Sequence, residues 1–70
     1  MATFSLDKHE HVDLCDLMKL EGWVESGAMA KSLIAEGHVT VDGNVETRKR
    51  CKIKAGQTVS FADNSVTVVA

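Results

Sequence analysis

Leu33-Ile34-Ala35-Glu36-Gly37-His38-Val39-Thr40-Val41-Asp42-Gly43-Asn44-Val45 is the stretch whose reading decides the fold. Up to Glu36 the apolar residues follow helical spacing. Ala30, Leu33 and Ile34 share one face. Gly37 suits the end of that helix. Beyond it the period drops to two, with Val39, Val41 and Val45 expected on one face and Thr40 and Glu46 on the other. Asp42-Gly43-Asn44 is a turn signal between two short strands. A helix handing over to a hairpin in so few residues predicts an α+β domain.

Working towards the amino terminus, Ser26 has the hydroxyl of an N-cap, and the spacing predicts a helix over 27–36. Leu14, Leu17 and Met18, with Val12 and Cys15 beside them, predict an earlier helix over 9–21. Asp13, Asp16 and Lys19 should face solvent, and Gly22 should cap the end. The short connector Trp23-Val24-Glu25 makes the two helices a tight pair. Residues 1–8 read as a loosely ordered lead-in. Working the other way, strands are expected near 39–41, 45–47, 58–61 and 66–69. Ala55-Gly56-Gln57 and Asp63-Asn64-Ser65 are the expected turns.

The chain has 70 residues, which fits one domain spanning 1–70 and no second core. Its longest apolar runs, Ala28-Met29-Ala30 among them, are three residues, far short of the roughly 20 of a membrane helix. The first residues lack the basic and apolar regions of a signal peptide. With only two cysteines, Cys15 and Cys51, a reduced cytoplasmic protein is expected.

The net charge is −2, yet the charge is unevenly spread. Residues 1–25 hold six acids and two bases. Arg48, Lys49, Arg50, Lys52 and Lys54 place five of the eight basic residues within seven positions. A polyanion responds to that local potential rather than to the average. A solvated loop without a partner would carry the same charges.

Taken together, Leu14, Leu17, Gly22, the Ser26-Gly27-Ala28 start, Ala30-Lys31, Leu33-Ile34, Gly37, Val39, Val41-Asp42-Gly43, Arg48 and Gly56 occur at a characteristic spacing. The pattern resembles the RNA-binding domain named after small-subunit ribosomal protein S-four, also called the alpha-L motif. The likeness covers residues 12–62, the motif core, and is nearest the stand-alone bacterial version of the domain. It implies a helix-turn-helix followed by a small hairpin and further short strands. It also implies non-catalytic binding of structured RNA, ribosomal or transfer RNA, with ribonucleoprotein or ribosome-associated partners. The RNA-facing positions it implies are Ser26, Gly27, Ala28 and Lys31 at the second helix, and Arg48 beyond the hairpin. The basic run adds Lys49, Arg50 and Lys52. Many members have arginine at the position of Gly27 and asparagine at that of Asp42; here one contact is missing and one negative charge is added.

Elementary electrostatics selects the same surface. A helix start presents unpaired N–H groups and partial positive charge to a phosphate. Such contacts read backbone and shape rather than base sequence. The basic group and the start of the second helix are expected on one face, with Asp13, Asp16 and Glu21 elsewhere.

The remaining residues have plainer readings. Trp23 closes the core rim rather than stacking on a base. His9 and His11 are two apart and His11 with Cys15 is at i, i+4 spacing, but two such ligands do not make a zinc site, which needs three or four; they read as solvent-exposed helix-start histidines. His38 suits a helix-end contact as well as an RNA phosphate. The basic neighbours of Cys51 would favour a thiolate. No nucleophile with an acid–base partner is visible, so no enzyme, cofactor or metal is expected. A protein-interaction adaptor on the same fold is the alternative. A ubiquitin-like sulfur carrier is disfavoured by the ending Val68-Val69-Ala70, which lacks a terminal Gly-Gly.

Overall fold

The structure, a computed structural model, describes residues 2–70. In chain order its elements are β1 (Ala2–Ser5), β2 (Val12–Asp13), α1 (Leu14–Leu20), α2 (Gly27–Ala35) and β3 (Val39–Val41). They continue with β4 (Asn44–Val45), β5 (Lys52–Ile53), β6 (Thr58–Phe61) and β7 (Asn64–Val69). Five strands form one sheet in the order β1-β7-β6-β3-β4, and β2 pairs with β5 in a separate ribbon. All pairings are antiparallel except β1 with β7.

Both helices end as the glycine positions predict. Gly22 has φ +77°, its N–H donates to the Lys19 carbonyl, and the Trp23 N–H donates to Met18. Gly37 repeats the arrangement at φ +84°, with its own N–H on Ile34 and that of His38 on Leu33. These are Schellman closures, which satisfy the last helical carbonyls and turn the chain sharply. The second delivers the chain directly into β3.

Leu14, Leu17 and Met18 of α1, Ala30 and Ile34 of α2, and Val39, Val41, Val59, Val66 and Val68 of the sheet form one buried cluster with Ile53. Fully burying each such aliphatic side chain is worth about 1.5–3 kcal/mol. Trp23 packs at the edge of the cluster, its ring stacked 6.3 Å from Phe61, so the core-rim reading describes it. The other sheet face carries hydroxyls, with Thr58 Oγ1 3.2 Å from Thr67 Oγ1 and Ser60 Oγ 3.2 Å from Ser65 Oγ.

Four local expectations need correction. The lead-in is a strand: β1 runs parallel to β7, and the Leu6 N–H donates to the Val69 carbonyl, burying Leu6. Helix α1 begins at Leu14 rather than His9, because Val12-Asp13 pairs with Lys52-Ile53 and the Leu14 N–H donates to the Cys51 carbonyl. The last turn is Ala62-Asp63, and β7 begins at Asn64, opposite Phe61. Finally, Val45 and Glu46 exchange faces. The first turn is two residues, with Asp42 and Gly43 both at positive φ, a type I′ hairpin. Val45 therefore stands opposite Thr40 and is 62% exposed, while the Glu46 N–H donates to Val39 and its side chain turns towards the core side.

Candidate nucleic-acid interface

Two pieces of chain carry the residues expected at the interface. The first is the start of α2. Ser26 is extended, and its Oγ accepts from the Met29 N–H at 3.2 Å, the expected N-cap. The N–H groups of the first helical turn have no partners within the helix. A Cβ built on Gly27 would meet nothing within 4 Å, so the backbone there is open to close approach. Ala28 is exposed, and half-buried Lys31 lies one turn further along.

The second piece is the loop from Glu46 to Lys54. Burying Cys51 and Ile53 fixes its far end, and the Cys51 carbonyl accepts from Leu14 at the start of α1. Between them, the Cys51 N–H donates to the Arg48 carbonyl at 3.2 Å and closes a turn with Lys49 and Arg50 at its tip. The β2–β5 ribbon then alternates, with Lys52 outward and Ile53 inward. The result is an open depression of about 510 Å³ lined by Arg48, Arg50, Cys51, Lys52 and Lys54. Lys49 is not among its lining residues, and neither are Ser26, Gly27, Ala28 and Lys31. The link between the two pieces is α1, which packs on α2 and receives the Cys51 carbonyl. Lys54 was not singled out as a contact residue by sequence; its place in the basic run, two residues beyond Lys52, was the available signal.

Two acids border the basic residues. Asp13, expected among solvent-facing acids away from them, sits directly across the ribbon from Lys52 because it lies in β2. Glu46 reaches Arg48 three times: Oε2 accepts from the backbone N–H at 2.9 Å and from Nε at 3.0 Å, and Oε1 accepts from Nη2 at 3.0 Å. The guanidinium beside it holds the Glu46 carboxyl down at about 2, below the ordinary 4.5. In turn, the carboxylate raises the Arg48 guanidinium further.

The Cys51 thiol is not the thiolate that its basic neighbours suggested. Burial, and then the Glu46 carboxylate, push its pKa up. Its Sγ lies 3.5 Å from both Glu46 Oε1 and Arg48 Nη2, so the guanidinium's pull towards a thiolate is opposed by the carboxylate and outweighed by burial.

A helix pair closed by glycine caps, a hairpin, and a cationic loop tied to them make up an alpha-L type arrangement. The S4 domain family model matches residues 4–69, and the chain belongs to that family. It is 79% identical to YbcJ of Escherichia coli (strain K12) and to YbcJ of Shigella flexneri, over the whole length of each chain. The solution structure of YbcJ from E. coli, described as revealing an alpha-L motif involved in RNA-binding, superposes with a TM-score of 0.77. The sequences there are 78% identical, covering all of this chain and 89% of the other. The resemblance and the α+β architecture read from the sequence are thereby established.

Proposed function

We propose that this protein binds structured RNA, ribosomal or transfer RNA, without catalysing a reaction on it, as a cytoplasmic component of a ribonucleoprotein or of a ribosome-associated step. The observation that carries the reading is the depression that gathers Arg48, Arg50, Lys52 and Lys54 on one anchored loop. Cations held by a rigid frame neutralise phosphates whose spacing they match, and they fix register without reading sequence. Lys49 extends the loop's charge at its tip. Ser26, Gly27 and Ala28 offer helix-start N–H groups to a further phosphate, and Lys31 adds a charge beside them.

Asp13 and Glu46 beside the basic loop favour one second reading, a protein-docking adaptor. Purification of the native protein separates the two. RNA binding predicts a high 260/280 nm absorbance ratio that falls after ribonuclease or high salt. An adaptor predicts a nucleic-acid-free preparation at low salt.

A further inference from the structure

The Glu46 carboxylate stands out from every other acid in the chain. Its side chain is only 17% exposed, its own N–H is tied to the Val39 carbonyl of β3, and all its acceptor contacts fall on the loop that follows. Oε2 takes the Arg48 backbone N–H and Nε; Oε1 takes Arg48 Nη2 and lies 3.5 Å from the Cys51 sulfur. Arg48 Nη2 also lies 3.5 Å from that sulfur, and the Arg48 carbonyl accepts from the Cys51 N–H. Three residues spread over six positions are thus closed on one another before the chain enters β5.

We propose that Arg48 is a positioning residue rather than a phosphate ligand: with Glu46 and Cys51 it forms a clasp that shapes the basic loop, and Arg50, Lys52 and Lys54 meet the phosphates. This rests on the RNA-binding reading above and assigns the roles within it. The argument is one of competition. The guanidinium fork is already matched to a carboxylate by two parallel bonds, the arrangement that arginine forms best and lysine cannot. A phosphate that took this fork would leave Glu46 unpaired beside a second anion, and like charges at that range repel. Arg50, Lys52 and Lys54 have no such obligation: among the described residues, no acid lies within ion-pair distance of any of the three. The carboxylate stays ionised throughout the neutral range, so its charge is available to the Arg48 fork whenever the protein meets RNA.

The test is a salt titration of binding to fluorescein-labelled bacterial transfer RNA, run on the parent and on Arg48→Ala, Arg48→Lys, Glu46→Gln, Arg50→Ala and Lys52→Ala. Arg50→Ala and Lys52→Ala should each make the slope of log affinity against log salt shallower by about 0.7–0.9. Arg48→Ala, Arg48→Lys and Glu46→Gln should weaken binding severalfold to a similar extent, by loosening the loop, with the slope close to the parent's. If Arg48→Lys keeps the parent's affinity while Arg48→Ala loses about one unit of slope, Arg48 is a phosphate contact and the proposal is overturned. A second readout needs no RNA. The Glu46 carboxyl, followed by NMR, should titrate at about 2 in the parent and return towards 4.5 in Arg48→Lys. A Glu46 carboxyl that stays at about 2 in Arg48→Lys also overturns the clasp. Failure of the parent to bind either this transfer RNA or a ribosomal RNA fragment at any salt would overturn the RNA reading and the phosphate half of this proposal, leaving the clasp itself to be decided by the NMR titration.

Discussion

Asp42 holds the hairpin turn in two separable ways, and substitution can take them apart. Its φ of +52° lies in the left-handed region, and its Oδ1 accepts from the Thr58 N–H at 2.9 Å on the neighbouring strand β6. Its own N–H donates to the Thr58 carbonyl at 2.8 Å, so side chain and backbone together close the end of the β3–β6 pairing. Asp42→Ala loses the side-chain bond, worth about 0.5–1.5 kcal/mol net. It also places in the left-handed region a residue that tolerates it less well than aspartate, adding about 0.5–1 kcal/mol. The sum, about 1–2.5 kcal/mol, corresponds to a fall in Tm of about 4–20 °C at the usual 4–8 °C per kcal/mol for a domain of this size. Asp42→Gly loses the bond but relieves the backbone, and should fall between parent and Ala. Asp42→Asn keeps an acceptor and tolerates the conformation, and should stay within about 0.5 kcal/mol of the parent. Circular dichroism melts of the four proteins give the order. Equal melting of Ala and Gly variants would show that the backbone conformation is immaterial, and an Ala variant melting with the parent would refute the whole account of the turn.

Three further expectations concern stability. Ser26→Ala removes the N-cap of α2 and should cost about 0.5–2 kcal/mol in chemical denaturation, with the salt slope of RNA binding nearly unchanged. Phe4→Ala removes the half-buried side chain that packs β1 against the core, and should lower Tm by several degrees and speed amide exchange along β7; a loosely ordered lead-in would give neither. The Glu46 carboxyl is depressed in the folded state, so its stabilisation is complete above its ordinary value near 4.5 and is lost as pH falls towards about 2. Melting temperatures should therefore fall more steeply over that window in the parent than in Arg48→Ala.

The helices, their glycine caps, the Ser26 N-cap and the β3–β4 hairpin were legible because each depends on residues close in sequence. What was missed depends on distant partners. Phe4 and Leu6 at a spacing of two hint at a strand, but β1 exists only because β7, more than sixty residues later, supplies its hydrogen bonds. Val12-Asp13 sits on a helical pattern, and is drawn into a strand by Lys52-Ile53. Val45 and Glu46 changed faces because a two-residue turn sets the register, and alternation counted through the turn cannot show that. The basic run was evident as composition. That Glu46 closes on Arg48, and that Lys54 joins the depression while Lys49 does not line it, follows from how the loop is tied to α1 and β3.

The central claim is that anchored cations bind RNA by neutralising phosphates, and the most direct measurement is the salt dependence of affinity for one structured RNA. Three to five contacts drawn from Lys31, Lys49, Arg50, Lys52 and Lys54 predict a slope of about −2 to −4.5 in log affinity against log salt. Lys8→Ala, outside the interface, should leave the slope at the parent value, while Lys52→Ala should reduce it by about one unit. Binding whose affinity is indifferent to salt, or a slope unmoved by Lys52→Ala, would contradict the account.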